Sequence, residues 1–239
     1  LNLRGETPSP DIFIVEQLVE SARAAGRPAV AARVIARSLA DPRYSSQQLI
    51  ELFARLIDIR SIRRFDIASI DTLNAPESSV HLLRAIALQS RSRFISMGES
   101  LDRALRADPP LPAAFRYAFA VADRHPGQSV AEARSAVLLI AEQRGLAAMA
   151  RELEARQALD SDQPDRAMRL LDEGSDDPEV RLLRAQALRA GGDVAAAERL
   201  LKALSNDHPQ FEATYAALFE IELQRQSGAG ALNVLRRWF

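Results

Sequence analysis

Ser79-Val80-His81-Leu82-Leu83-Arg84-Ala85-Ile86-Ala87-Leu88 and Glu179-Val180-Arg181-Leu182-Leu183-Arg184-Ala185-Gln186-Ala187-Leu188 are two copies of one pattern, identical at seven of ten positions and 100 residues apart. The likeness continues downstream, where Phe94 aligns with Val194, Met97 with Ala197, Leu101 with Leu201 and Pro109 with Pro209. An offset of 100 is three units of about 33 residues, the period at which two-helix units stack. The chain therefore reads as a helical repeat.

A small residue followed four positions later by a large apolar one marks the second helix of each unit. Ala31/Ile35, Met97/Leu101, Ala133/Val137, Ala167/Leu171, Ala197/Leu201 and Ala231/Leu235 carry the mark, with Met97 the bulkiest exception. From Met97 onward the marks are spaced by 36, 34, 30 and 34 residues, and the interval of 66 between Ala31 and Met97 leaves room for one unmarked unit. That unit lies between Ser45 and Leu73, with Leu49, Leu52, Phe53, Leu56 and Ile57 on one helical stripe and Ile62, Phe65 and Ile70 on another. The expectation is seven helix pairs, near residues 10–42, 45–75, 78–109, 112–143, 145–174, 178–209 and 210–239, forming one all-α, right-handed superhelical solenoid over 1–239.

Helix breakers separate these stripes at Gly26-Arg27-Pro28, Asp41-Pro42, Asp108-Pro109-Pro110, Pro126-Gly127, Asp177-Pro178, Gly191-Gly192 and His208-Pro209. Ser129, three residues before Glu132, predicts a capping box, and Asp193 opens the helix after Gly191-Gly192. Composition agrees with helix: Ala, Leu and Arg dominate, aromatic residues are 5% and glycines number 10.

With 47% hydrophobic residues the 239-residue chain can bury a core without staples, and with no cysteine it has neither disulfides nor thiolate metal ligands. The formal net charge of −1 gives no field of one sign to draw nucleic acid, so no nucleic-acid partner is expected. The longest apolar runs, such as Ala136 to Ala141, fall far short of the roughly 20 residues that cross a bilayer, so no membrane insertion is expected either. Lys202 is the sole lysine among 31 basic residues, a usage that fits a GC-rich bacterial genome. Nothing in the sequence decides the compartment.

The repeat resembles the tetratricopeptide family, whose 34-residue unit is a helix-turn-helix with small residues at the helix crossing and proline at the exit. Residues 178–209 are the nearest copy: Ala185 and Leu188 in the first helix, Gly192-Asp193 at the turn, Ala197 and Leu201 in the second helix, and Pro209 at the exit. Arg181 and His81 stand where the family favours an aromatic residue, and Arg184 and Arg84 where it favours leucine. The resemblance implies that the first helices line a concave groove holding a peptide or a partner's helix. It assigns that groove to Glu179, Leu182, Gln186 and Arg189, and in the earlier copy to Ser79, Leu82, Ile86 and Gln89. The family's clamp for a peptide C-terminal carboxylate uses Lys, Asn and Arg; Leu, Ile and Gln stand here instead, so that ligand is not expected.

Catalytic and metal patterns are absent from the sequence. His81, His125 and His208 have no second ligand at helical spacing, the glycines before helices follow no strand, and Asp160, Asp162 and Asp165 lack the glycine and distal glutamate of a calcium loop. No Gly-x-Ser-x-Gly elbow surrounds any serine. Neither enzymatic activity nor a cofactor is expected. Arg60, Arg63 and Arg64, with Arg91 and Arg93 about one repeat later, read as solvated turn arginines, with a basic ridge as the sharper alternative.

The expected function is a scaffold that binds a protein or peptide, within a bacterial envelope or polysaccharide-export assembly for example. The alternative is the repeat region of a larger enzyme such as a glycosyltransferase or sulfotransferase. A start at Leu1 and an apolar stripe of Val234, Leu235, Trp238 and Phe239 at the end are expected of a piece of a longer chain. Trp238 and Phe239 would cap the solenoid or meet a second copy on the stripe with Ile12, Phe13, Ile14 and Leu18.

Overall fold

The computed structural model describes residues 12–39, 46–57, 67–124, 127–209 and 211–238. These residues form helices and turns, with no strand among them: α1 (Ile12–Ala24), α2 (Pro28–Ser38), α3 (Ser46–Ile57), a 3-10 helix at Ile67–Thr72, α4 (Glu77–Gln89), α5 (Phe94–Arg106), α6 (Pro112–Ala120), a 3-10 turn at Ala122–Arg124, α7 (Val130–Gln143), α8 (Ala147–Asp160), α9 (Pro164–Leu170), α10 (Pro178–Ala190), α11 (Val194–Asp207), α12 (Glu212–Gln224) and α13 (Gly228–Trp238).

Helices pack as neighbours in sequence. The tightest partners are α1 with α2, α4 with α5, α8 with α9, α10 with α11 and α12 with α13. Each pair then leans on the next: α2 meets α3, α7 meets α8, α9 meets α10 and α11 meets α12, while the first helices α4, α6, α8 and α10 also touch in succession. This is a stack of helix pairs in which contacts run between nearest neighbours.

One hydrogen-bonded turn closes six of the junctions. The N–H groups of Arg27, Arg93, Leu146, Gln163, Asp193 and Ser227 each donate to the carbonyl five residues earlier, at 2.8–3.0 Å. That bond requires a left-handed residue just before the donor, and Gly26, Ser92, Gly145, Asp162, Gly192 and Gln226 supply it at φ between 54° and 90°. Ser129 and Glu132 form the expected capping box at α7, and the Asp193 side chain accepts from the Ala196 N–H at 2.9 Å.

Six of the seven residues shared by the two sequence copies pack, and the seventh forms an ion pair, Arg84 with Asp71 and Arg184 with Glu173. Leu82, Leu83, Ala85, Ala87 and Leu88 are buried in α4, and Leu182, Leu183, Ala185 and Ala187 in α10. Within α10, Leu182 and Ala185 join a cluster with Ala197, Leu201, Phe211 and Leu218 ahead of it. Leu183 and Ala187 join Ala155, Ala158, Ala167 and Leu171 behind it. A first helix thus buries two opposite flanks at once, which fixes its apolar residues so firmly that they read as a repeat. The small and large second-helix marks are likewise buried, apart from the half-buried Leu235.

Departures from the regular period have local causes. The spacing of 36 before α7 accommodates the 3-10 turn at Ala122–Arg124, and the spacing of 30 between the marks of α9 and α11 follows from α9, which stops after seven residues. There Leu171 turns extended, and the Gly174 N–H donates to Asp172 Oδ1 at 3.0 Å. In the unmarked unit α3 buries Leu49, Leu52, Phe53 and Leu56 as expected, whereas Ile62 and Phe65 lie outside the described residues; Ile70 is buried in the 3-10 helix. Exposed large apolar residues occur at both ends, Ile14 and Leu18 on α1 and Leu223 and Leu232 on α12 and α13.

The junction geometry gives a stability prediction. Ser92→Gly and Gln226→Gly each relieve a non-glycine left-handed residue, and each is expected to raise stability in urea titrations by about 0.5–1 kcal/mol. Gly192→Ala meets no atom within 4 Å, so its expected loss of about 1–2 kcal/mol comes from backbone conformation alone.

Candidate functional site

The eight positions assigned to the groove fall into two groups. Ser79, Leu82 and Ile86 are buried in α4, and Leu182 and Glu179 are nearly so in α10. Gln186 is exposed, and Gln89 and Arg189 are half-buried. The exposure of Gln186 against the burial of Ile86, its counterpart 100 residues earlier, shows that the same helical position is covered by neighbours in one place and open in the other. Trp238 ends α13, with its side chain outside the description, and Phe239 lies beyond the described residues.

The polar members of this set are tied from one first helix to the next. The Tyr117 hydroxyl of α6 donates to Gln89 Oε1 of α4. Arg189 of α10 donates to Glu220 Oε2 of α12 at 2.6 Å. Between them lies a charged core on α6, α8 and α10. Arg116 donates through Nε to Glu152 Oε1 at 2.8 Å and through Nη2 to Glu152 Oε2 at 2.7 Å, and Nη2 also reaches Asp177 Oδ2 at 2.9 Å. Arg156 donates to Glu152 Oε1 at 2.9 Å and to Glu179 Oε2 at 3.3 Å. Polar contacts therefore run across the row of first helices from α4 to α12.

Glu152 sits at the bottom of this network with its side chain 2% exposed. Burial pushes its carboxyl up, but the hydrogen bonds and charges of Arg116 and Arg156 more than reverse that and hold it below the usual carboxylate range. Burial disfavours the Arg116 charge, and Glu152, helped by Glu179 and Asp177, outweighs that and holds the guanidinium above its ordinary range. A bidentate arginine–carboxylate pair satisfies two donors in fixed geometry.

Above this core a cavity of about 340 Å³ opens among α6, α7, α8 and α10. Arg116, Arg134 and Arg156 line it with Phe119, Asp160 and the exposed Gln186. Arg134 comes from the second helix α7 and lies over the Phe119 ring, 4.6 Å from its centroid. Its Nη2 meets Asp160 Oδ2 at 2.9 Å. A second cleft of about 330 Å³ lies between α5 and α7, lined mainly by apolar residues such as Met97, Leu101, Val137 and Ile140. Its charged residues Asp102 and Arg106 bond each other at 2.8 Å. Convergent charged groups distinguish the first cavity as the candidate site.

Of these site residues the sequence reading singled out Gln186 and, in another role, Asp160. It passed over Arg116, Phe119, Arg134, Glu152 and Arg156. Two signals were present: Arg116 stands between Phe115 and Tyr117, both buried, and Glu152 precedes Arg156 by one helical turn. The other candidates serve elsewhere. His81, expected to have no second ligand at helical spacing, does have a carboxylate one turn earlier and pairs with it, Glu77 at 3.3 Å. His208 closes α11, and Arg91 and Arg93 flank the α4–α5 junction, while His125, Arg60, Arg63 and Arg64 lie outside the described residues. Among the described residues no helix is long and apolar enough to cross a membrane.

Because the Glu152 pKa is depressed on folding, its contribution is present above the unfolded glutamate pKa of about 4.3 and is lost as pH falls through the lower folded value. Urea titrations from pH 6 downward should therefore show stability dropping in that acid range. Glu152→Ala leaves Arg116 with Asp177 alone and Arg156 with Glu179 alone; it is expected to cost about 3 kcal/mol at pH 7 and to flatten the acid dependence.

Residues 158–221 match the family model of the tetratricopeptide repeat, which here spans the end of α8 through most of α12. No curated protein and no solved structure matches the chain. The helices before residue 158 continue the same stack with the same junction turn and the same small and large marks. Residues 158–221 are thus similar to the tetratricopeptide repeat, a repeat of the protein-interaction scaffold kind, and they sit in an all-helical stack of like pairs.

Proposed function

We propose that the row of first helices α6, α8, α10 and α12 is the surface on which this scaffold holds a segment of a protein partner. The observation that carries the reading is the cavity at which Gln186 is exposed beside three arginines. Elsewhere on the row the polar groups already satisfy one another between helices. A partner gains most where donors remain open and the surrounding surface is already fixed, because little side-chain entropy is then lost on binding.

Of the groove positions, Gln186 and Arg189 are the ones a partner reaches directly on α10, and Gln89 is their counterpart on α4. Ser79, Leu82, Ile86, Glu179 and Leu182 act from beneath by setting the spacing of the first helices. Leu182 illustrates the division: it is 8% exposed and belongs to the cluster around Phe211, so a charge there would disrupt the stack and report on folding, not on binding.

Peptides selected from a random library on the immobilised chain test the reading. Gln186→Trp and Arg189→Ala are expected to weaken the selected peptides about tenfold or more, a change of about 1.4 kcal/mol. Leu139→Ser, in an exposed residue of the α5–α7 cleft, is expected to leave them unchanged. The reverse pattern would move the binding surface to that cleft.

A further inference from the structure

The cavity among α6, α7, α8 and α10 contains an uneven pairing of charges. Arg116 and Arg156 share the buried carboxylate of Glu152, and Arg156 also meets Glu179, whose side chain is 11% exposed. Arg134 has a side chain only 20% exposed, yet its ion-pair partner Asp160 is 57% exposed. Glu152 and Glu179 are buried against Arg116 and Arg156, and Asp177, 40% exposed, also accepts from Arg116; of the three guanidiniums Arg134 alone has only a solvated partner. Its pairing to a solvated aspartate is screened and weak.

The hydrogen bonding of Arg134 is incomplete in the same sense. Nε and Nη2 lie on one edge of a guanidinium and together match the two oxygens of a carboxylate. Arg116 uses that edge fully, giving Nε to one oxygen of Glu152 and Nη2 to the other. Arg134 uses half of it: Nη2 meets Asp160, while Nε is buried with no hydrogen-bond partner. A buried donor left unpaired costs about 1–3 kcal/mol, which an acceptor at that edge would recover.

We propose that this cavity receives the side-chain carboxylate of an acidic residue on the bound partner segment, taken by the Nε/Nη2 edge of Arg134 in place of Asp160. The inference rests on the reading that the first-helix row holds a partner. The Phe119 ring beneath Arg134 keeps water from one face of the guanidinium, so a carboxylate arriving at the edge meets a less screened charge than it would on an open surface. Gln186 supplies amide donors at the same cavity wall. Asp160 is a placeholder: exposed, singly bonded and free to swing into solvent.

The test uses the whole chain and three small probes followed by ¹⁵N-detected NMR, read at the Arg134 Nε–H and the Gln186 side-chain amide. N-acetylglutamate N-methylamide carries the side-chain carboxylate, N-acetylglutamine N-methylamide lacks the charge, and N-acetylalanine carries only a main-chain carboxylate. Saturable shifts with the first and not with the second are expected. Asp160→Asn removes the competitor and is expected to tighten the glutamate probe by about two- to fivefold, the factor corresponding to an exposed ion pair. Arg134→Gln is expected to abolish the Gln186 response.

Equal response to the glutamine probe, a stronger response to N-acetylalanine, or no response in both the wild-type chain and Asp160→Asn would overturn the proposal. Because Asp160 is exposed, Asp160→Asn folds and keeps the test decisive even where Arg134→Gln does not fold. Peptides that depend on Gln186 and Arg189 but keep their affinity on Arg134→Gln would remove this carboxylate site and leave the partner surface standing.

Discussion

The stack depends on one constraint: a first helix must bury apolar side chains on two opposite flanks. In α10 the adjacent residues Leu182 and Leu183 go to different neighbours, one forward toward α11 and α12 and the other back toward α8 and α9. Only a narrow strip of each first helix remains for anything else. On that strip the chain places its ionic contacts, because polar groups there can satisfy one another across the spacing that apolar burial has already fixed. Glu152 shows how the two layers cooperate. Its carboxylate is nearly inaccessible, yet two arginines from α6 and α8 converge on it, so burial and charge specify the same register.

Repetition made the fold legible. Residues that face both neighbours are restricted to a few types, so Leu82, Leu83, Ala85 and Ala87 return as Leu182, Leu183, Ala185 and Ala187. The junctions were legible where glycine marked them, at Gly26 and Gly192, and less so at Ser92 and Gln226, where residues of no special turn preference adopt the same left-handed conformation. Local propensity there yields to the pull of the two helices on either side.

The candidate site was less legible because it is made by contacts that no spacing encodes. Family resemblance gives each first helix the same outward face, but whether a position is open depends on what the neighbouring unit places against it. Ile86 and Gln186 occupy equivalent positions and differ in exposure, and Gln89 and Arg189 are both engaged, one with a tyrosine and the other with a glutamate. Arg134 belongs by sequence to a second helix, next to the small residue Ala133 that marks it. It meets the first-helix row over the Phe119 ring of α6. Periodicity describes what units have in common, whereas the cavity is made by contacts particular to one place in the stack.

The shared flanks of the first helices also set how the molecule comes apart. A helix that walls two compartments cannot leave without opening both, so loss of an interior pair exposes apolar surface on each side of the gap. Loss of an end pair exposes only one new surface. Amide exchange should accordingly be slowest in helices whose two flanks are both buried, near Leu153 and Leu183. The cavity beside Gln186 is walled by such helices, so opening it means opening two compartments at once.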